Sequence, residues 1–353
     1  MLFDSWFGSI HDQVSSIASQ IQHALAGDQY TIGDLGLAKV TGPQNDGHSA
    51  THGGHTTSPP PPPPPPTASP PPPPPPPPPA GTVVGAPGGF QIDLIWDSSV
   101  ASAPAGFKTA VTAAAQYLTS LFTNSETINI DVGYGEVMGQ TMSSGDLGQS
   151  QSYGYLSSYA VVAAALAHDN YPVVAAANAP GGAQFFLTSA EAKTFGIISP
   201  TSSGVDGFIG LSSSYAMDYS ASGPAAGSSS YSAVGVAEHE LSEVLGRIGL
   251  EGRTVNGAAT YTPIDLFNYA SAGHLELSGN GGYFSVNGGA TGLGTYNNAN
   301  NGGDVSDWGG GAPVANDAFS AFMGAGAARV SSADVQELAA IGYKLSSTGL
   351  AAA

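Results

Sequence analysis

Apolar and polar positions alternate along the chain in a way that predicts two strands on either side of a helix. Residues 90–96, FQIDLIW, have apolar side chains at every second position, which is typical of a half-buried strand. Residues 105–122 repeat apolar side chains every three or four positions, and residues 127–137 alternate again. Strand, helix and strand at this spacing predict a βαβ unit with two parallel strands and a crossover helix.

Further periodic segments follow this unit. Residues 157–169 carry a helical pattern, and residues 207–214 form a short apolar run that predicts a strand. Residues 331–345 begin with a serine cap and predict a final helix. Residues 250–327 are rich in glycine and asparagine, so we expect mostly loops there. The pattern as a whole predicts the α/β (α+β) fold class, with a loop-rich C-terminal part.

The chain is predicted to divide into four parts along its length: a short N-terminal helical segment (1–40), a disordered His/Pro-rich linker (41–87), the folded domain (88–347) and a tail (348–353). The helical segment rests on apolar residues spaced three or four apart between residues 10 and 25. The linker contains two proline runs, Pro59–Pro66 and Pro70–Pro79. They predict an extended polyproline spacer about 60 Å long. A docking ligand for proline-binding domains is the alternative.

Charge is sparse and strongly one-sided. The chain has 26 acidic and 7 basic residues, which gives a formal net charge of −19. Nucleic acids and anionic membranes are bound by clusters of lysine and arginine, so we expect neither as a partner. The chain has no cysteine, so the fold needs no disulfide.

The sequence predicts a protein that is secreted or displayed at the cell surface without a cleaved N-terminal signal peptide. The first residues, MLFDSWFGSIHDQVSS, have no basic stretch followed by an apolar one and no small-residue cleavage site. No run of about 18 apolar residues is present, so we expect no membrane insertion. An uncleaved C-terminal signal, as bacterial one-step exporters use, is the export route left open.

The segment AVGVAEHELSEVLGRIG at 233–249 predicts a helix with two distinct faces. At about 100° per residue, one face carries an apolar stripe made of Val234, Ala237, Leu241, Val244, Leu245 and Ile248. The opposite face carries His239, Glu243 and Gly246, with Glu240 beside them. Ligands at i and i+4 converge on one cation, and a neighbouring carboxylate can hold a water molecule against it. The alternative is a surface helix on which the histidine pairs only with the acid one turn later.

Residues 239–246, HELSEVLG, are similar to the start of the metzincin zinc-protease signature, H-E-x-x-H-x-x-G-x-x-H. His239, Glu240 and Gly246 match that signature. Glu243 replaces its second histidine, and Gly249 stands at the position of its third. Over residues 90–345 the chain more closely resembles a bacterial family of metalloprotease-like proteins, which shares four later tracts: TPIDLFNY (262–269), YFSVNGG (283–289), GDVSDW (303–308) and NDAF (316–319).

The resemblance implies a zincin-like fold with a mixed sheet, a backing helix and an active-site helix. It also implies that His239 and Glu243 bind a cation. Glu240 would be the general base that activates a water molecule held by that cation for attack on a peptide carbonyl. A third ligand must come from elsewhere, and Asp265 in TPIDLFNY is preferred over Glu251. A turn-capping role is the alternative for Asp265.

The expected cofactor is Zn²⁺, with Mn or Fe as alternatives, because a carboxylate in place of an imidazole makes oxygen-preferring ions more acceptable. The extra negative ligand should also reduce the Lewis acidity of the ion. Asn and Asp oxygens on the Gly-rich turns of residues 280–307 make a structural Ca²⁺ an alternative to plain surface loops. Two functions remain open. One is a secreted metal-dependent endopeptidase with polypeptide substrates, and the other is a catalytically inactive zincin-like surface or adhesion protein on a polyproline stalk.

Overall fold

The computed structural model describes residues 29–33, 38–39, 81–167, 182–225 and 228–353. In this part of the chain, strands and helices combine into an α/β (α+β) fold with a mixed sheet and several helices, as the sequence pattern predicts. The helix predicted between residues 10 and 25 and both proline runs lie outside the described residues.

The strands of the described residues are β1 (Gln29–Gly33), β2 (Ala38–Lys39), β3 (Thr82–Val84), β4 (Gln91–Trp96), β5 (Thr127–Tyr134), β6 (Glu136–Val137), β7 (Gln140–Thr141), β8 (Gly148–Ser158), β9 (Gln184–Thr188), β10 (Gly207–Leu211), β11 (Met217–Asp218), β12 (Tyr231–Ser232), β13 (Thr254–Val255), β14 (Ala258–Tyr261), β15 (Asn268–Ser271), β16 (His274–Leu275), β17 (Gly282–Phe284), β18 (Gly294–Tyr296) and β19 (Trp308–Gly311). The α-helices are α1 (Phe107–Leu121), α2 (Tyr159–Ala167), α3 (Ser189–Thr194), α4 (Ala233–Val244), α5 (Ser332–Ala340) and α6 (Ser347–Ala352), and 3₁₀ helices cover Ser98–Ser102 and Ile264–Phe267. Within the described part of the chain, none of these helices has the length and apolar character needed to cross a bilayer.

The main sheet runs in the order β13-β14-β9-β8-β10-β5-β4-β3, with β1 paired to β8 and β2 paired to β1. Its strands β4, β5 and β10 are parallel to one another, whereas β8 is antiparallel to both β9 and β10. Helix α1 connects β4 to β5, so the predicted βαβ unit is confirmed. The later predicted helix, strand and final helix are present as α2, β10 and α5.

The core lies between the main sheet and the helix pair α1 and α4. In β4 the side chains of Ile92 and Leu94 are fully buried, whereas the alternating side chains of Gln91, Asp93 and Ile95 are half-buried. This matches the alternation in the sequence. Helix α1 contributes Val111 and Leu118 to the same core, and α4 packs on α1, β8 and β10. The helix that carries the predicted site residues is therefore held by apolar contacts with both α1 and the sheet.

Described strands lie on the N-terminal side of the predicted domain boundary at residue 88. Strand β3 lies in the segment predicted as linker and pairs antiparallel with β4, where Thr82 Oγ1 accepts a hydrogen bond of 2.9 Å from the Trp96 indole. Backbone groups along β4 need partners, and β3 supplies them. Strand β1 lies in the segment predicted to be helical and pairs antiparallel with β8. The segment predicted as a tail contains most of α6.

Residues 250–327 contain more regular structure than their composition predicts. Strands β15 to β19 form a second sheet in the order β16-β15-β17-β18-β19, and all its pairs are antiparallel. Tyr296 and Trp308 stack with ring centroids 5.0 Å apart, and Phe284 packs near both. Strands of two to four residues are too short for an alternating pattern to stand out in the sequence.

The Asn-rich turn that leads into β19 uses several of its own oxygens in hydrogen bonds. Asn297 and Asn301 exchange side-chain hydrogen bonds of 2.6 and 3.0 Å, and Asn297 also donates to the carbonyl of Asp304 at 3.1 Å. These contacts hold the turn together through the chain's own groups. A structural Ca²⁺ in this region stays a prediction.

Candidate metal centre

Helix α4 is defined at both ends by its own residues. Ser232 caps its N-terminus by accepting a hydrogen bond of 3.1 Å from the N–H three residues later. At the other end Gly246 has a φ of 119°, and its N–H donates to the carbonyl of Glu243 at 2.9 Å. A Cβ at this position would lie 2.5 Å from the carboxyl carbon of Glu191. Glycine is therefore required both for the turn and for the close approach.

Three side chains that could be metal ligands lie close together on one side of this helix. His239 Nε2 lies 3.3 Å from Glu243 Oε1 and 3.4 Å from Asp307 Oδ1. One nitrogen or oxygen atom from each of the three residues lies within 4.8 Å of the others. The structure thus brings together His239 and Glu243, as their one-turn spacing predicts, and adds Asp307 from the loop before β19. This group, which we call the metal-ligand group, can hold a metal ion.

The hydrogen bond between the His239 ring and Ala318 orients the ring as in a metal ligand. Its Nδ1 lies 2.8 Å from the carbonyl oxygen of Ala318. Since a carbonyl can only accept, Nδ1 carries a proton and Nε2 is the nitrogen that faces the two carboxylates. Ligating histidines usually donate their second ring N–H to a carbonyl or carboxylate in this way. An edge-on contact with Phe319, with centroids 6.3 Å apart, also holds the ring.

The distances within the metal-ligand group fit a tetrahedral cation site. Charge-assisted hydrogen bonds between a ring nitrogen and a carboxylate are about 2.7–2.9 Å long, shorter than the 3.3 and 3.4 Å found here. Ligand atoms about 2.0–2.2 Å from a tetrahedral Zn²⁺ are about 3.3–3.6 Å from one another. The two observed separations therefore match those between ligand atoms around an ion of this size.

An unpaired buried oxygen points to the same conclusion. Glu243 Oε2 accepts a hydrogen bond of 2.7 Å from Ser150 Oγ, whereas Glu243 Oε1 is buried without a hydrogen-bond partner. A buried carboxylate oxygen without a partner is costly. A cation between the three ligand atoms would supply the missing interaction, so the residues present fit a bound metal ion.

Arg247 places a positive charge next to the metal-ligand group. Its guanidinium is fully buried, lies 2.6 Å from Asp307 Oδ1 and is 3.7 Å from Glu243 Oε1. It also lies over the ring of Phe319 at 4.3 Å. No feature of the sequence predicts this role, because a lone basic residue after a helix is usually solvated. In the folded chain it balances part of the charge of the two carboxylates.

The charged side chains at the metal-ligand group shift one another's pKa values. Burial lowers the pKa of the His239 imidazole, but the neighbouring carboxylates of Asp307 and Glu243 outweigh burial and raise this pKa to about 9. Burial raises the pKa of Glu243, but His239 and Arg247 together hold it below its usual value. In the absence of a cation, His239 is therefore protonated at neutral pH, and two basic side chains face two acidic ones.

Asp307 is placed by a tertiary contact of the residue that precedes it. Gly249, at the position of the third ligand in the metzincin signature, donates its N–H to Ser306 Oγ at 2.8 Å. A Cβ on Gly249 would lie 2.6 Å from Glu251 Oε2, so a ligand side chain does not fit there. Ser306 instead brings the following residue to the group. The tract GDVSDW contains this acid beside the buried Trp308, and that pairing is the signal that could have identified it.

Asp265 is not brought to the metal-ligand group. Its Oδ2 accepts hydrogen bonds from the backbone N–H groups of Thr262 at 2.8 Å and Leu250 at 3.1 Å. These bonds correspond to the turn-capping role named as its alternative. The other candidate, Glu251, accepts a hydrogen bond of 2.8 Å from the Asn268 amide. Both carboxylates fix the chain after α4, and neither belongs to the metal-ligand group, in which Asp307 is the third residue.

The metal-ligand group lies in a cleft of about 330 Å³. Its three residues and Glu240 all line this cleft. A Cβ on Gly148, at the start of β8, would lie 2.2 Å from Glu240 Oε1, so this glycine leaves the space that the carboxylate occupies. Glu240, expected as the general base, therefore shares one cleft with His239, Glu243 and Asp307.

Comparison of the chain with protein-family models, with curated proteins and with solved structures finds no match. The metzincin-like resemblance therefore stays a prediction from the tracts quoted above. What the chain does has to be inferred from the geometry of the metal-ligand group and its cleft.

Proposed function

We propose that the chain is a metal-dependent endopeptidase with a zincin-like arrangement of mixed sheet, backing helix and active-site helix. The observation that carries this proposal is the meeting of His239, Glu243 and Asp307 in a cleft that Glu240 also lines. The order of strand, α1, further strands and α4 along the chain supports it. The proposed substrate is a polypeptide.

In this proposal His239 Nε2, Glu243 and Asp307 hold the cation, with Zn²⁺ as the first candidate and Mn or Fe as alternatives. Imidazole and carboxylate are both zinc ligands, and two oxygen donors make Mn or Fe more acceptable. A divalent cation held there would supply Lewis acidity toward water and a substrate carbonyl. The hydrogen bonds to Ala318 and from Ser150 keep the donor atoms aimed at one position.

Glu240 is the proposed general base. It follows His239 directly in α4, and its carboxylate lines the same cleft. In peptide hydrolysis it would take a proton from the attacking water and deliver it to the leaving amine. The space that Gly148 leaves for this carboxylate supports the role.

Charge at the site sets the expected strength of the activity. Two anionic ligands reduce the positive charge that acts on water, so the pKa of that water should lie above the value of about 7 found at histidine-rich zinc sites. Arg247 offsets part of this effect through its contact with Asp307. We therefore expect slower hydrolysis than at a three-histidine site, with a maximum at alkaline pH.

A second function is favoured by the charge balance of the same residues. Protonated His239 and Arg247 can neutralise Glu243 and Asp307 without any cation. The group would then be a buried ionic cluster that fixes α4 to the loop before β19. In that case the chain is a catalytically inactive surface or adhesion protein, and the proline runs serve as its stalk.

Cleavage of casein or gelatin by the full chain, with Zn²⁺, Mn²⁺ or Fe²⁺ added, separates the two functions. Glu240→Gln should abolish cleavage while the protein still binds one metal ion. Glu238→Gln is the matched control, since it makes the same change in the same helix at a buried residue that does not line the cleft, and cleavage should continue. Wild-type protein that cleaves neither substrate with any of these metals would support the second function.

We also propose that the protein acts outside the cell or at its surface. Sparse charge and the lack of cysteine are compatible with this location, since the fold needs no disulfide in any redox compartment. Mass spectrometry of culture medium from the native host tests it. Peptides of the folded domain should be found there, and a chain confined to the cytoplasm would contradict the proposal.

A further inference from the structure

The cleft beside the metal-ligand group is lined by both acidic and apolar side chains. Asp146 and Asp304 line it in addition to Glu240. Its lining within the described residues includes no lysine and no arginine, because Arg247 lies buried behind Asp307. A cleft lined by several carboxylates concentrates the negative electrostatic potential of a chain whose net charge is −19. Such a potential attracts cationic ligands and repels anionic ones.

Phe322 gives the rim of this cleft an exposed apolar surface. Its side chain is 64% exposed, and Met323 and Leu147 line the cleft with it. The segment that carries it is held in place, since Ala321 N–H donates to the carbonyl of Trp308 at 3.1 Å. An exposed aromatic side chain on a fixed backbone, at the rim of a cleft, is suited to contact with a ligand side chain.

Two glycines leave the backbone uncovered between these acidic and apolar residues. A Cβ on Gly303 would lie 2.9 Å from Ala321 Cβ and 3.3 Å from Phe322 Cζ, so glycine allows the two segments to pack closely. Gly302 also lines the cleft, with a φ of 90°. Backbone without side chains lets an extended ligand approach closely.

We propose that the cleft binds a cationic peptide segment, with an apolar or aromatic side chain against Phe322 and lysine or arginine side chains directed to Asp146 and Asp304. This inference rests on the proposed peptidase function and names the substrate class of the same site. Packing on Phe322 buries apolar area that is now exposed. Charge pairs at a half-exposed cleft are individually weak and depend on salt, so selectivity comes from the two features together.

Peptide binding to the full-length Glu240→Gln protein, loaded with Zn²⁺, tests this specificity without cleavage. Three fluorescent peptides of equal length are compared at low salt: one with lysines flanking a phenylalanine, one with glutamates in place of the lysines, and one with alanine in place of the phenylalanine. The first should bind about tenfold tighter than either of the others, and its advantage over the glutamate peptide should shrink as salt is raised. Equal binding of the lysine and glutamate peptides would overturn the inference.

Matched substitutions in the same protein locate the binding. Phe322→Ala should weaken binding of the lysine–phenylalanine peptide about fivefold, because an apolar contact is lost. Leu350→Ala, which removes an equally exposed apolar side chain outside the cleft, should have no effect. Asp146→Asn should weaken binding of the same peptide, whereas Asp218→Asn, which changes an acid outside the cleft, should leave binding unchanged. If each control weakens binding as much as its partner, attraction to the cleft is contradicted.

Failure of this inference is distinguishable from failure of the proposed function. Selective binding of the cationic peptide, without cleavage by the wild-type chain under any metal, would refute the peptidase while supporting the inferred peptide specificity. Cleavage of all three peptides at equal rates would support the peptidase and refute the specificity.

Discussion

Two buried ionic groups of this molecule differ in how completely their atoms are paired. Lys193 and Asp206 lie 2.6 Å apart, and the lysine also donates to the carbonyls of Thr127 at 2.7 Å and Ser202 at 3.1 Å. Asp206 accepts a further hydrogen bond of 2.7 Å from Asn129 N–H. All three ammonium donors are used and the pair is buried, so this group ties β5 to α3 and to the loop before β10.

The metal-ligand group is paired less completely and is open to a cleft. Its histidine is separated from both carboxylates by more than 3.2 Å, and its side chain is 12% exposed. Glu243 Oε1 and Arg247 Nη2 are buried without hydrogen-bond partners. A fully paired ionic group stabilises a fold, whereas an unpaired buried oxygen such as Glu243 Oε1, on a residue that lines a cleft, is a feature found at binding sites. The difference between the groups supports the proposed role of the second one in binding a cation.

Breaking the structural pair should have the largest effect on stability. Lys193→Met leaves the Asp206 carboxylate buried without its partner, so the free energy of unfolding should fall by about 3–5 kcal/mol in urea denaturation. Lys193→Met combined with Asp206→Leu should recover part of this loss, because no unpaired charge remains. A loss below about 1 kcal/mol in the single variant would mean that the pair behaves like an exposed one.

Removing one ligand should abolish stabilisation by metal. At a free Zn²⁺ concentration of a hundred times Kd, the wild-type chain should gain about 2.7 kcal/mol of unfolding free energy. Glu243→Gln should lose most of this gain, because the neutral amide is a poor ligand. Asp265→Asn should lower the stability of the metal-free protein, since Asp265 caps a turn, but keep the gain from metal. Equal gains in the wild type and Glu243→Gln would contradict the assignment of Glu243 as a ligand.

A smaller effect is expected from the residue that orients this ligand. Ser150→Ala removes the hydrogen bond to Glu243 Oε2 and should weaken metal binding about tenfold, as titration calorimetry would show. Ser152 provides a matched control on the same strand, because its hydroxyl is buried and has no hydrogen-bond partner. Ser152→Ala should leave the affinity unchanged. Identical affinities for both variants would mean that Ser150 does not position the carboxylate.

The smallest expected effect concerns an acid outside both groups. Burial, with help from the charges of Asp97 and Glu136, raises the pKa of Asp131 to about 6. The folded chain then binds this proton more tightly than the unfolded chain, so the stabilisation present at low pH is lost as pH rises from about 4 to 6. Asp131→Asn should slightly flatten the fall in unfolding free energy over that range. An unchanged pH profile in the variant would contradict the raised pKa.

The sequence predicts the part of the site that one helix determines. His239 and Glu243 are one turn apart on α4, and the 3.6-residue period is enough to place them on one face. Asp307 depends instead on the docking of Ser306 against Gly249 and on the contact with Arg247. Those are tertiary contacts between segments that are distant in sequence, and no periodic pattern encodes them.

The same distinction applies to the fold. Strands β4 and β5 and helix α1 are long enough for their hydrophobic period to be recognised, and they were predicted correctly. Strand β3 and the second sheet were missed, because strands of two to four residues carry too few positions to show alternation. Their formation follows from the need of neighbouring strands for hydrogen-bond partners.

The number of metal ions bound per chain tests the central claim most directly. Metal-free protein is equilibrated with Zn²⁺, dialysed and measured by elemental analysis, for the wild type, Asp307→Asn and the control Asp304→Asn, which changes another acid lining the cleft. The account predicts one ion per chain in the wild type and in Asp304→Asn, and a large loss in Asp307→Asn. A wild-type chain without stoichiometric metal, or an Asp307→Asn chain that binds as much as the wild type, would contradict joint binding by His239, Glu243 and Asp307.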